Sequence, residues 1–256
     1  MKESEIRTFP LSDNQRNIWN VEQTLPNTPV NQICTTLIID RHFDIQALRQ
    51  ALNTVLMNDE TLRTRLLLQQ QQPVQYFAAY QPQRFPLYDF SQSDEAALDQ
   101  WEQQLARQPM PLINAPLVHF FCFQRGQRGG VVIRIHHLIS DGWTQVLLSN
   151  RISRLYLQAV QGQPLQEEPM TPYREYLEQQ QRYRQSRRYQ KDREYWQKQI
   201  RKLTPEVSLC DTSGGAQNHS GQRLSVNLPE ALGQQLQAFC LKQQLSPFIP
   251  FLMALA

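Results

Sequence analysis

The stretch His136–Gly142, which reads His-His-Leu-Ile-Ser-Asp-Gly, decides how this 256-residue chain is interpreted. It overlaps a short β-branched run, 131–137, that two glycines introduce and that therefore predicts a strand. Side chains alternate between the two faces of a strand, so the adjacent histidines point in opposite directions. A turn at the strand end can present one of them to a substrate, and we predict that it is His137.

The residue types in this stretch suit proton transfer and hydrogen bonding to a carbonyl oxygen. A neutral imidazole can accept a proton from an amine or alcohol, or donate a hydrogen bond to a developing oxyanion. Gly142 has no side chain, so its backbone N–H near a helix start can approach a carbonyl oxygen. We predict His137 and Gly142 as the catalytic groups. Adjacent strand histidines diverge and no third ligand lies at metal spacing, so no metal is expected.

Asp141 lies in the predicted turn between strand and helix, where we expect it to be buried. An unpaired buried carboxylate is costly, so it would need a cation. The run 61–68 predicts an alternating strand with Arg63 and Arg65 on one face. We predict that Asp141 pairs with Arg63, and Arg65 is the alternative partner. In the competing interpretation, both histidines are core residues and Asp141 merely caps the helix.

Hydrophobic patterns along the chain predict an alternation of strands and helices. Strands are predicted over 33–39, 61–68, 117–123 and 131–137, and helices over 44–57, 93–107, 143–160 and 173–202. The strands 117–123 and 131–137 are expected to form a hairpin. Asp44 suits an N-cap, and Gly162 suits the residue after a helix end.

The composition changes near residue 204. Residues 204–222 contain Pro205, Asn218 and several glycines and serines and are predicted as a linker or crossover. We therefore predict one lobe over 1–203 and the beginning of a second lobe over 223–256. In that last part, a strand is predicted over 223–228, followed by a helix that Pro229 opens at its first position.

Composition excludes several classes of function. A net charge of +3 is too small to indicate nucleic acid or a membrane as partner. No run approaches eighteen apolar residues and no leader-like segment opens the chain, so a cytoplasmic protein is expected. The four cysteines are dispersed, which indicates neither a disulfide framework nor a zinc site.

Positive charge is concentrated in the predicted helix 173–202, where ten Lys or Arg residues accompany four acidic ones. Such a run suits either a phosphate-binding surface or a solvated helix face. We favour the solvated face. The side chains expected to turn inward are Tyr176, Tyr183, Tyr195 and Trp196.

Four segments together resemble the condensation domains of nonribosomal peptide synthetases. Residues 136–144 are similar to the core motif of that family. Residues 12–19, Ser-Asp-Asn-Gln-Arg-Asn-Ile-Trp, resemble its opening segment, and 58–66 resemble its Arg-His-Glu-x-Leu-Arg-Thr-Arg-Phe segment. Residues 173–177 and the later Tyr195-Trp196 are similar to a looser motif. The four segments occur in the order of the family, and the resemblance covers essentially the whole chain.

The resemblance implies an α+β fold, an α/β sandwich of the chloramphenicol-acetyltransferase type with a mixed, largely antiparallel sheet flanked by helices. The chain would hold the N-terminal lobe and the start of a truncated C-terminal lobe. The implied enzyme is an acyltransferase that joins a donor acyl or peptidyl thioester to the amine of a carrier-bound aminoacyl acceptor. No cofactor would bind directly, because the substrates arrive on the phosphopantetheine of carrier proteins, or the donor arrives as acyl-coenzyme A. The implied partners are peptidyl or acyl carrier proteins and downstream synthetase domains, in antibiotic or other secondary-metabolite synthesis.

For the site, the resemblance implies that His137 is the central histidine. It would act as general base, or would orient the amine and stabilise the tetrahedral intermediate. His136, Asp141 and Arg63 would support the site structurally, with Arg63 paired to Asp141. Gly142 would lend its backbone N–H.

The chain departs from the family at Asn58-Asp59, where the family has Arg-His, and it ends before the family's later motifs. We therefore expect the isolated chain to be inactive. The opening motif begins at Ser12, so the donor is expected to arrive in trans, which favours a lipid-starting condensation domain. Three alternatives remain: a related acyltransferase that forms esters with an alcohol, an epimerase relative, which the residues after Gly142 disfavour, and a non-catalytic module that docks carrier proteins.

Overall fold

The structure is a computed structural model that describes residues 7–40, 42–168, 170–202 and 226–255. The chain divides into two compact units, Met1–Arg201 and Lys202–Ala256. The predicted linker 204–222 lies outside the described residues, so the domain boundaries given above stay predictions.

The described residues of the first unit form strands and helices in alternation. The strands are β1 (Phe9–Pro10), β2 (Gln32–Ile39), β3 (Thr64–Gln69), β4 (Gln72–Phe77), β5 (Leu87–Asp89), β6 (Val118–Arg125) and β7 (Arg128–His136). The helices are α1 (Asp13–Thr24), α2 (Ile45–Asn58), α3 (Glu95–Arg107), α4 (Gly142–Val160), α5 (Tyr173–Arg184) and α6 (Arg187–Ile200).

The histidine stretch belongs to a four-stranded sheet with the strand order β2-β7-β6-β5. Strand β7 pairs antiparallel with both of its neighbours, and the short β5 runs parallel to β6. A second, antiparallel sheet has the order β1-β4-β3. The predicted α+β class, with a mixed and largely antiparallel sheet flanked by helices, is confirmed.

The main core lies between one face of the four-stranded sheet and the helices α2 and α4. Ile133 of β7, Leu52 of α2 and Leu148 of α4 are all buried there. Full burial of one such side chain contributes about 1.5–3 kcal/mol. On the opposite face, Val132 packs in a smaller cluster with Leu105 of α3. Because both faces of β7 are covered, the register of this strand is strongly specified.

Local sequence explains the limits of these elements. Asp44 caps α2, as predicted, because its carboxylate accepts hydrogen bonds from the N–H groups of Gln46 and Ala47. Gly162, with φ at +66°, follows α4 in the left-handed conformation predicted for it. The predicted hairpin of β6 and β7 turns at Gly126, which has φ at +61°.

The predicted basic helix 173–202 is in fact two helices, α5 and α6. Ser186 separates them, since its hydroxyl accepts a hydrogen bond from the N–H of Tyr189 at 3.2 Å and so caps a new helix. The predicted inward orientation of the four aromatic side chains is wrong. All four are exposed, and the exposed fraction of Trp196 is 62%.

The predicted strand 61–68 begins later than expected. A 3-10 turn over Thr61–Arg63 precedes β3. The carboxylate of Asp59 accepts a hydrogen bond from the N–H of Thr61 at 3.0 Å, which favours the turn. Arg63 therefore lies before the strand and not on its polar face.

The described residues of the second unit form α7 (Glu230–Gln243) and α8 (Phe248–Leu255). Pro229 occupies the N-cap position of α7, one residue before the predicted position. Of the predicted strand 223–228, residues 226–228 are not in a strand, and the others lie outside the described residues. Within the described ranges, no helix combines the length and the apolar character needed to cross a bilayer.

Candidate active site

His137 is the first residue after β7. Its backbone N–H donates to the carbonyl oxygen of Asn31, just before β2, at 2.8 Å. Its side chain is half-buried and lines an open groove of about 730 Å³. The imidazole is thus held at the end of a buried strand and is accessible from the groove.

His136 has a different environment, since its side chain is only 2% exposed. Its Nδ1 accepts a hydrogen bond from the N–H of Leu138 at 3.1 Å, and its Nε2 lies 3.3 Å from Oε1 of Glu22. Burial lowers the pKa of His136 below its ordinary value of 6.5, although the carboxylate of Glu22 acts in the opposite direction. His136 is therefore a neutral, internally bonded group. Among the described residues, no group of three His, Cys, Asp or Glu side chains could hold a metal ion.

Asp141 is exposed and caps α4. Its carboxylate accepts hydrogen bonds from the backbone N–H and the hydroxyl of Thr144, both at 2.7 Å. These two hydrogen bonds hold the pKa of Asp141 below its ordinary value. The predicted burial of Asp141 and its predicted ion pair with Arg63 are wrong, because the helix N-terminus satisfies this carboxylate at the surface.

Arg63 instead binds backbone carbonyls. Its acceptors are the carbonyl oxygens of Leu56, Met57, Asp59 and Ala78. The last carbonyls of a helix lack intrahelical partners and attract cations, so Arg63 stabilises the end of α2. Arg65, the alternative partner, donates to the carbonyl of Thr64 rather than to Asp141.

Gly142 is the first residue of α4 and is exposed. The first N–H groups of a helix have no intrahelical acceptor, so they are available to an anionic oxygen. A Cβ placed on Gly142 would meet nothing within 4 Å. The space around this Cβ position is therefore open, and a small side chain would also fit in the described structure.

The other walls of the groove include residues of three segments that the sequence analysis compared with the family but did not assign to the active site. They are Ser12, Asn14, Gln15, Asn17 and Ile18 at the start of α1, Thr61, and Tyr173 and Tyr176 of α5. One signal was available in the sequence. The pattern Ser-x-x-Gln is typical of a capping box, and the backbone N–H and side chain of Ser12 exchange hydrogen bonds with those of Gln15 at 2.9 and 3.2 Å.

A second cavity of about 490 Å³ adjoins the groove. Both cavities are lined by Thr61, Ile139, Thr144 and Tyr173. The apolar wall of the second cavity consists of Leu62, Leu147, Leu148 and Met170. A ligand lying against His137 could therefore extend into an apolar chamber without leaving the unit.

A charge network around Arg151 forms part of the lining of this chamber. The guanidinium of Arg151 bonds the carboxylates of Asp59 and Glu167, each at 2.8 Å, and Asn58 donates to Glu167 at 3.0 Å. Burial would raise the pKa of Glu167, but the hydrogen bonds from Arg151 and Asn58 hold it below its ordinary value. The pair Asn58-Asp59, where the sequence departs from the family pattern, therefore connects the end of α2 to α4 and to the segment after α4.

The α+β lobe, with mixed sheets flanked by helices, has a fold of the chloramphenicol-acetyltransferase type. The chain belongs to the condensation domain family, whose model matches residues 5–255. The predicted resemblance is confirmed. Condensation domains are acyltransferases that form amide bonds, and peptide-bond formation is their general function.

Curated relatives are large synthetases or their subunits. Surfactin synthase subunit 1 of Bacillus subtilis (strain 168) is 29% identical over 258 residues, which cover 98% of this chain and 7% of that protein. Bacitracin synthase 1 of Bacillus licheniformis is 31% identical over 172 residues, which cover 64% of this chain and 3% of that protein. The chain therefore spans a small part of the curated relatives it matches.

Solved structures establish the fold. The first condensation domain of the calcium-dependent antibiotic synthetase, in complex with a substrate analogue, superposes with a TM-score of 0.80 at 22% identity, over 94% of this chain and 58% of that chain. The starter condensation domain of the rhizomide synthetase RzmA gives a TM-score of 0.72 at 24% identity, over 78% of this chain and 49% of that chain. The chain thus spans about half of these solved domains.

Proposed function

We propose that this chain carries the His137 side of an active site that joins a donor acyl or peptidyl thioester to the amine of a carrier-bound aminoacyl acceptor. One observation carries the proposal: the half-buried imidazole of His137 lines an open groove at the end of β7, close in sequence to the N-terminus of α4. The membership of the condensation domain family supports it. Carrier proteins and downstream synthetase domains would be the partners, and phosphopantetheine would carry the substrates.

In the proposed reaction, the acceptor amine attacks the thioester carbonyl, a C–N bond forms, and the C–S bond breaks. The amine loses one proton and the departing thiolate gains one, so the products are an amide and a free thiol. His137 contacts the amine, either as the base that accepts its proton or as the group that orients it. The N–H of Gly142 is the proposed donor to the tetrahedral oxyanion, a role in which a preorganised backbone dipole is effective.

The reaction type is tested by offering the complete protein an acyl-loaded carrier together with either an aminoacyl-loaded carrier or a free alcohol. We expect an amide product with the amine and no ester with the alcohol. An ester product would support the alternative alcohol-acylating enzyme and contradict the proposal. Binding of carriers without any product would indicate a docking module instead.

We further propose that the donor is a fatty acyl group, as in a starter domain. The apolar chamber lined by Leu62, Leu147, Leu148 and Met170 adjoins the groove and supports this choice of substrate. Three of its five charged residues, Asp59, Arg151 and Glu167, are paired with one another, so these three leave the apolar wall to the ligand. Each methylene group buried there contributes about 0.8 kcal/mol.

Leu147→Trp tests the chamber because this residue lines it, whereas the neighbouring Val146 does not and serves as the matched control. Filling the chamber should lower kcat/KM for long-chain acyl donors about tenfold or more, which corresponds to about two methylene groups, and leave short-chain donors unaffected. Val146→Trp should behave like the wild type. Equal use of long chains by all three proteins would place the acyl group elsewhere.

A further inference from the structure

The backbone on either side of His137 is held by three hydrogen bonds. The N–H of His137 donates to the carbonyl oxygen of Asn31 at 2.8 Å, and the N–H of Leu138 donates to Nδ1 of His136 at 3.1 Å. The carbonyl oxygen of Leu138 accepts a hydrogen bond from Nε2 of Gln15 at 3.1 Å. The peptide groups that flank the imidazole therefore have defined partners.

Two side chains of helix α1 support these contacts. Gln15 makes one of them directly, and Glu22 bonds the side chains of Asn31 and His136, the residues that make the other two. Gln15 and Glu22 lie seven residues apart, or about two helical turns, so they share one face of the helix. Both are buried, with exposed fractions of 3% and 9%. The amide of Gln15 is itself held, because it exchanges two hydrogen bonds with the buried amide of Gln75 in β4 at 3.0 and 2.8 Å.

Glu22 bonds the ring nitrogen of His136 that carries the proton. Nδ1 of His136 accepts a hydrogen bond from Leu138, so the neutral ring carries its proton on Nε2. That N–H points to Oε1 of Glu22, 3.3 Å away. The same oxygen accepts a hydrogen bond from Nδ2 of Asn31 at 2.7 Å. One carboxylate thus anchors both His136 and Asn31, and each of these residues binds one of the two peptide N–H groups at His137.

We propose that Glu22 and Gln15 are positioning residues for His137: from one face of α1 they fix the peptide groups on both sides of it and so aim its imidazole into the groove. The proposal rests on the proposed function of His137. Both side chains act through the backbone rather than on the reacting atoms. Buried polar networks are costly when they are incomplete, so the full set of partners is consistent with a requirement for one defined geometry.

The kinetic test uses Glu22→Leu and Gln15→Leu in the complete protein. Gln23→Leu is the matched control, because Gln23 is the exposed neighbour of Glu22 on the same helix. Misplacement of a catalytic group by about 1 Å can cost about 100-fold in rate. We expect kcat for amide formation to fall at least about tenfold in the first two variants, with KM little changed, and to stay at the wild-type value in Gln23→Leu. Wild-type kcat in Glu22→Leu, or a loss confined to KM, would overturn the proposal.

A second measurement does not depend on catalysis, and its wild-type arm does not depend on how well a variant folds. Nuclear magnetic resonance of the chain with ¹⁵N-labelled histidine reports which ring nitrogen of His136 is protonated. We expect the Nε2–H form in the wild type, and a changed nitrogen signal in Glu22→Leu. A wild-type ring protonated on Nδ1 could not accept the N–H of Leu138 and would overturn the proposal.

The failure of this inference can be distinguished from the failure of the proposed function. If His137 is not catalytic, His137→Ala keeps the rate of amide formation. If α1 does not position His137, His137→Ala loses that rate, but Glu22→Leu keeps it.

Discussion

His136 and His137 are neighbours in sequence with opposite chemical situations. The side chain of His136 is bonded on both ring nitrogens inside the protein, whereas that of His137 lines the groove. A ring with both nitrogens engaged cannot exchange a proton with a substrate without breaking an internal hydrogen bond. Of these two histidines, it is therefore His137 that is available to a ligand.

Protonation of His136 should weaken the fold. Burial lowers its pKa from 6.5, and the charged or titratable groups that influence it are Glu22 of α1 and the adjacent His137. The unfolded chain binds a proton at His136 more readily than the folded protein does. The stability gained by burying the neutral ring is therefore fully present above pH 6.5 and is lost as the pH falls through the folded pKa. In His136→Asn the amide oxygen can replace Nδ1 as acceptor, and no group titrates there.

Urea unfolding of both proteins between pH 4 and pH 8 checks this prediction. The free energy of unfolding of the wild type, minus that of His136→Asn, should be constant above about pH 6.5 and decrease below it. A difference that stays flat, or that grows toward acid, would contradict the account of His136.

Arg63 and Asp141 should behave as independent residues, since they share no partner. Loss of a hydrogen bond to a charged group costs about 1.5–3 kcal/mol, so Arg63→Ala should destabilise the protein by this amount. Loss of the helix cap in Asp141→Ala should cost about 0.5–2 kcal/mol. The double variant should show the sum to within about 0.5 kcal/mol. A coupling energy well above that value, measured by denaturant unfolding, would instead support the ion pair between Arg63 and Asp141 that the sequence suggested.

At the scale of the elements, α4 and α2 are joined by the network around Arg151. The side chains of Arg151 and Glu167 are only 16% and 3% exposed, so the pair lies in the interior. Arg151→Leu should strand two carboxylates and lower the free energy of unfolding by about 3–5 kcal/mol. Arg154→Leu is the control, because Arg154 is 51% exposed and lies 3.9 Å from Glu167. Its removal should cost less than about 1 kcal/mol.

The same network predicts a dependence on pH. The pKa of Glu167 is lowered from 4.5 in the folded protein, so its contribution is present above pH 4.5 and is lost as the pH falls through the folded value. The difference in stability between the wild type and Arg151→Leu should therefore shrink in acid. Equal unfolding midpoints for Arg151→Leu and Arg154→Leu at neutral pH would show that the network is not important for stability.

Elements with a strong local signal could be predicted from the sequence. The β-branched run 131–137 and the cap at Asp44 placed the end of β7 and the start of α2 within a residue or two. Helix α1 is missing from the predicted elements, although Ser12 and Gln15 have the capping-box pattern. The break in the basic helix was missed because Ser186 caps α6 without any change in the charge pattern around it.

The partners of the site residues were harder to predict, because they are set by tertiary contacts. Glu22 bonds a histidine 114 residues away, and nothing in the local sequence of α1 indicates that contact. Arg63 was assigned to a strand, yet a 3-10 turn directs it to the carbonyls of the helix before it. A pairing inferred from charge alone ignores that the free carbonyl oxygens at a helix C-terminus compete with carboxylates for the same cations.

At the scale of the whole molecule, the first unit provides a complete sheet-and-helix core and an open groove. The groove and the adjoining chamber have residues of α1, α4 and α5 in their walls. The chain spans about half of the solved condensation domains it matches, so the activity is best measured in the complete protein. Family membership confirms the type of domain, and the groove is where we propose that its chemistry takes place.

The most direct test of that chemistry is mass spectrometry of the products formed by the complete protein from acyl-loaded and aminoacyl-loaded carriers. Removal of a general acid–base group costs about 10²–10⁴-fold, so His137→Ala should lose the amide product by at least about 100-fold while still binding both carriers. His42→Asn is the matched control, because it removes an exposed imidazole outside the groove at a φ of 51°, which asparagine tolerates. A wild-type yield of amide from His137→Ala would contradict the central role given to this residue.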